Sequence, residues 1–319
     1  VKAIFGRVAV RVFGIPFREA TFARRGFYSA HDSIRRRLES IGRTFLFGYH
    51  VALRTDDCGR LEARLQRVVR ERQGFAFEGA AMALALKDRL SPWRQRRLER
   101  FLTGVAAPHA YMVQVGVGWA LARMPGSIER TLASLDPVLG WLALDGYGFH
   151  EGFFDWRRYL AGRPHPRRLS GYARRAFDQG FGRSLWFVDG ADVRRISTTI
   201  GSFSPERRAD LWSGVGLAAT YAGGSDREGL ASLRQAAGAF SVNVAQGAAF
   251  AAKARQRAGN TTSYTDLACE ILCAMPAVAA ARVTDEMLRD LPVNDGPKPA
   301  YELWRQRIQA QFAGTKVGG

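Results

Sequence analysis

The side chains whose types and spacing could do chemistry gather between 145 and 155, where Asp145, Tyr147, His150, Glu151 and Asp155 alternate with glycines. Glycine lets backbones and ligands approach closely, and a histidine flanked by carboxylates suits a general base or a metal or haem ligand. The spacing matches no His-Glu-x-x-His zinc pattern, so no metal is assigned and the cofactor is left open. The plainer reading, which carries more weight, is that the glycines let two helices cross and His150 bonds a backbone carbonyl. A second candidate acid or base is Glu78, at the head of the apolar run Gly79 to Leu86. An acid at a helix start commonly complements the dipole, but this one precedes a buried segment. His150, Glu78 and Asp145 are the catalytic candidates.

Tyr111, Trp119, Tyr147, Trp212 and Phe250 are the candidate walls of an apolar binding site, with His109 and Gln114 beside them, although an aromatic stripe is usually core. Arg43, Arg183 and Asp210 read as buried ion pairs or as a site for an anionic carrier. Ion pairing is favoured, because a buried guanidinium needs a fixed carboxylate. The sequence holds no Gly-x-Ser-x-Gly elbow, P-loop, dinucleotide fingerprint or paired-cysteine motif, which argues against the common hydrolases, NTPases and nicotinamide enzymes.

The elements that must position these residues read as helices. Apolar residues Ile34, Leu38, Ile41 and Phe45 share one face from about Asp32, and Thr55, Asp56 and Asp57 mark the next helix start. Ser91 and Pro92 read as a cap and first position for a helix to Thr103. Ser225 with Glu228 forms a capping-box pattern. The order then repeats: Gly42-Arg43 aligns with Gly182-Arg183, Gly79 with Gly214, Glu78 with Ser213, Gly116 with Gly247 and Trp119 with Phe250. The expected fold is all-α and internally duplicated, with two pseudo-symmetric halves and small-residue central helices. The expected boundaries are an N-terminal arm at 1–27, halves at 28–165 and 166–300, and a tail at 301–319.

Among 319 residues, 47 lysines and arginines stand against 29 acids, a formal net charge of +18. Such a field attracts polyanions, but the arginines are scattered and accompany no nucleic-acid-binding signature, so nucleic acid is not the expected partner. Three cysteines make no disulfide framework and suit a reducing compartment. Charges interrupt the apolar N-terminal stretch, so no export signal is expected. The expected location is cytoplasmic, with the basic apolar arm able to lie on the inner face of a membrane.

Several segments together resemble the UnbL-type proteins encoded beside enediyne polyketide synthases. They are Thr21 to Phe27, Gly42 to Phe45, Gly74 to Gly79, Tyr111 to Trp119, Leu144 to His150, Asp178 to Trp186, Arg208 to Tyr221 and Gln246 to Phe250. The resemblance runs over nearly the whole chain. It implies an accessory of polyketide natural-product biosynthesis that acts on or binds a long apolar polyene, with a membrane protein and a propeller-like protein as partners. It carries over no catalytic set. The alternative it leaves is a non-catalytic scaffold for a membrane-associated biosynthetic complex.

Overall fold

Every long alanine- and glycine-rich run is a helix in the computed structural model, which describes residues 11–91, 96–292 and 298–314 and has no strand among them. After a helical turn at Phe22–Arg25 come α1 (Asp32–Arg54), α2 (Cys58–Leu65), α3 (Gln73–Leu90), α4 (Arg97–Thr103) and α5 (Ala110–Arg123). Then follow α6 (Ile128–Leu132), α7 (Leu142–Leu160), α8 (Tyr172–Val188), α9 (Val193–Gly201) and α10 (Pro205–Ala222). The chain continues through α11 (Arg227–Ala237), α12 (Ser241–Arg257), α13 (Ser263–Leu272), α14 (Ala277–Leu288) and α15 (Ala300–Gly314).

The helices divide by composition into two roles. Short α2, α9 and α11 are amphipathic and bury one stripe each, Leu61 and Leu65, Ile196 and Ile200, Leu230 and Leu233. Long α3, α5, α10 and α12 are buried on all faces over most of their length, the mark of a helix enclosed on every side. Helices α3, α5, α7, α8, α10 and α12 pack side by side in that order, and α12 touches α5, so the last five close into a ring with α3 packed beside α5. Helix α1 lies outside α3, and α14 and α15 lie against α12.

Glycines set the spacing among these helices. A Cβ built at Gly79 would run into the Phe45 carbonyl, at Gly116 into that of Glu78, at Gly214 into that of Gln179 and at Gly247 into that of Ser213. Each of the four therefore sits at its own contact between successive helices, not together on one axis. The expected match of Gly42 with Gly182 does not follow the packing. Gly182 meets the Leu211 carbonyl as Gly48 meets that of Ala76, whereas Gly42 lies against Ala20.

Four further expectations are corrected. The 301–319 tail is a packed helix over its described part, with Tyr301, Trp304, Arg305 and Ile308 fully buried. Asp226, not Ser225, caps α11 by accepting from the Gly229 amide. Glu78 is not at a helix start: α3 already begins at Gln73, which puts the acid in the second turn. Helix α4 begins at Arg97, and the expected start at Pro92 lies outside the described residues. The boundary expected at 165 separates α7 from α8, which interlock through Gly148 on Phe177 and Gly180 on Asp145.

Candidate functional site

Glu78 points from α3 into a cavity of about 30 Å³ whose walls are otherwise almost wholly apolar. Phe45 and Ile41 come from α1, Trp119 from α5, Phe149, Phe153 and Phe154 from α7, and Phe187 from α8. Ile15 and Ala20 of the N-terminal segment complete the wall. Such a volume holds a water molecule or two. The Glu78 carboxyl accepts a hydrogen bond from the Trp119 indole on Oε1 at 2.9 Å, and its Oε2 is buried without a partner. Burial pushes this carboxyl up to about 8, Arg183 and the Trp119 bond pull it down less, and Asp145 adds to the push.

The reason Arg183 does not ionise Glu78 lies on α7. Its guanidinium is paired directly with Asp145, whose second oxygen accepts from Gln179 at 2.8 Å. One buried cation thus already has its carboxylate, and a second negative charge beside the pair is uncompensated. Arg183 Nε and the Tyr221 hydroxyl are also buried without a hydrogen-bond partner among the described residues. Arg183, Tyr111, Tyr221 and Phe250 line a second, separate cavity of about 20 Å³ inside the ring.

His150 is close to the first cavity but behind its wall. The ring stands edge-on to Trp119 at 5.5 Å and lies 4.8 Å from the Phe154 ring. Its Nδ1 is 3.3 Å from Glu151, not on a backbone carbonyl as the plainer sequence reading had it. Burial lowers its pKa, an effect that the Glu151 carboxylate only partly opposes. Glu151 is pushed up by burial, but His150, the Tyr159 hydroxyl at 2.8 Å and Arg163 outweigh that and hold it below the usual carboxylate range.

The expected residues therefore separate into distinct places. Glu78 and Trp119 meet at the first cavity, and Tyr111 and Phe250 at the second. Trp212 is buried but lines neither, and the Tyr147 hydroxyl is taken by Arg168 at 3.1 Å. Asp145 has both oxygens engaged and is not brought to His150. Arg43 is half exposed and pairs with Glu39 one turn earlier on α1, so it joins no buried pair with Asp210. The partners of Asp210 are instead Arg305 at 2.7 Å and Arg175 at 2.9 Å. Arg305 Nε also donates to Gln246 at 3.2 Å, and Gln246 accepts from Ser213 at 2.8 Å. Sequence reasoning missed Gln179, Gln246, Tyr221 and Arg305. For Gln246 and Tyr221 the available signal was a polar side chain inside or at the end of an alanine-rich run, whereas Arg305 lies in a polar stretch that carries no such signal. Among the described residues no group of three or more His, Cys, Asp or Glu is placed to hold a metal, and no single helix is long and apolar enough to cross a membrane.

With this geometry in hand, residues 4–312 match the profile of a family described as a protein of unknown function, DUF1702. The chain belongs to that family. No curated protein and no solved structure matches it. In this DUF1702 chain burial holds the Glu78 carboxyl above the usual carboxylate range, and a carboxyl with a raised pKa is suited to proton transfer.

Proposed function

We propose that the protein is an accessory of polyketide-type natural-product biosynthesis that takes a long apolar polyene against the aromatic wall around Glu78 and uses that carboxyl for proton transfer. The observation that carries this reading is a buried acid with one unpartnered oxygen, Glu78, set in an otherwise apolar, aromatic cavity. Flat conjugated surfaces suit aromatic walls, and an acid kept neutral by burial supplies a proton where solvent cannot. A chain of many carbons exceeds the present cavity, so the Ile15–Ala20 wall, which belongs to no ring helix, has to swing aside to admit it. His150 supports the Trp119 and Phe154 wall, and Asp145 holds Arg183.

The test is to incubate purified protein, alone and with its cluster partners, with the polyene released by the neighbouring synthase and to follow products by mass spectrometry. A new product lost in Glu78→Gln supports the reading. Unchanged polyene in every combination overturns catalysis.

A second reading, a non-catalytic scaffold, is favoured by the small size of both cavities. On that reading the basic surface engages membrane-protein and propeller-like partners, and exposed Val12 and Phe17, flanked by Arg11 and Arg18, touch the inner membrane face. Co-sedimentation with anionic vesicles and with the partners, unchanged by Glu78→Gln, distinguishes it.

A further inference from the structure

Among the described side chains that line the first cavity, one buried polar atom lacks a hydrogen-bond partner. Of its two acids, Glu19 is already paired with Arg24 and Arg25, and the one indole N–H in the wall is spent on Glu78 Oε1. That leaves Glu78 Oε2, buried in a residue only 1% exposed. We propose that this cavity recognises an apolar ligand bearing a single hydrogen-bond acceptor, a ketone or aldehyde carbonyl, through a hydrogen bond donated by Glu78 Oε2. The proposal rests on the reading of the cavity as the ligand site and narrows it to a chemical class.

The direction of the hydrogen bond follows from the surroundings. Oε1 accepts from Trp119, so the acid proton resides on Oε2, where the carboxyl can only be a donor of its strongest bond. The charged and titratable groups facing Glu78 are Arg183 and Asp145, already paired with each other, and Tyr221 across the ring, with Glu19 at the same cavity. A cationic ligand meets the field of Arg183 and strips its own hydration among phenylalanines. An anionic ligand finds no free cation among the side chains that line the cavity. A neutral acceptor on an apolar body meets neither cost, and it satisfies an atom that is otherwise left without a partner.

The experiment uses two probes of nearly equal shape, acetophenone and ethylbenzene, both larger than the closed cavity and admitted by the same outward movement of the Ile15–Ala20 wall, titrated into the full chain by calorimetry. The carbonyl carbon of labelled acetophenone is followed by NMR in parallel. At pH 6 acetophenone is expected to bind roughly tenfold more tightly, the value of one good hydrogen bond, with its carbonyl resonance moved downfield. At pH 9.5, with Glu78 ionised, the preference should fall towards unity or reverse. Glu78→Leu should abolish the preference at pH 6 while retaining ethylbenzene affinity, and if that variant does not fold, the pH arm on the wild type decides. Equal binding of the two probes at both pH values overturns the carbonyl inference and leaves the cavity a ligand site. Binding of neither probe overturns both.

Discussion

Glu78 makes the stability of the protein depend on pH in a direction opposite to that of an ordinary paired carboxylate. Its folded-state value near 8 lies above that of a free glutamate, about 4.5. Its contribution is therefore full below about pH 4.5 and is lost as pH rises to 8, at roughly 1.4 kcal/mol per pH unit within that window. Glu78→Gln keeps an acceptor for Trp119 and cannot ionise. Relative to wild type, the variant is expected to gain several kcal/mol between pH 5 and pH 8 in urea unfolding; parallel pH profiles would show that Glu78 ionises freely. Trp119→Phe removes the donor on Oε1 and should raise the Glu78 value further, read by the infrared carboxylate band during titration. At this scale the sequence was partly legible. An acid in an apolar run announces itself, whereas the Arg183 partner does not, because Asp145 and Asp210 are equally plausible until the helices are placed.

Helices meet here through glycine, and the tolerance of each site follows from what a methyl group would strike. Gly79→Ala and Gly214→Ala place a Cβ against backbone on a neighbouring helix, where no side chain can move aside. Each should cost at least about 1–3 kcal/mol and widen the helix spacing. Gly201, at the exposed end of α9, has nothing within 4 Å. There alanine should stabilise by about 0.5–1 kcal/mol through helix propensity. Thermal unfolding of the three variants checks the contrast, and equal effects would mean that the close contacts relax. The same glycines made the central helices readable as close-packed. Their pairing was not readable, because Gly42 and Gly48 look alike in one dimension and only packing distinguishes them. Residues 301–314 look like a tail for a related reason: Glu302 and Arg305 read as surface residues until the neighbouring helices bury them.

Across the whole molecule, the interior of the ring is tied to a helix far along the chain. Arg305 is fully buried on α15 and neutralises Asp210 on α10, with Glu302 and Arg175 completing the cluster. Arg305→Met should cost about 3–5 kcal/mol by leaving Asp210 and Glu302 undercompensated. Adding Asp210→Asn should recover part of that loss, and strictly additive costs in the double variant would count against direct coupling. Most other contacts join helices adjacent in the row, so the row can assemble locally and quickly. The Asp210 carboxylate is an exception with a cost in time. A ribosome making 5–20 residues per second exposes Asp210 on the order of ten seconds before Arg305. During that interval Asp210 has only the partly exposed Arg175 as its cation, where the interior should close. A message cut short in the codons for α15 therefore yields a client for chaperones and proteases, not a smaller working protein.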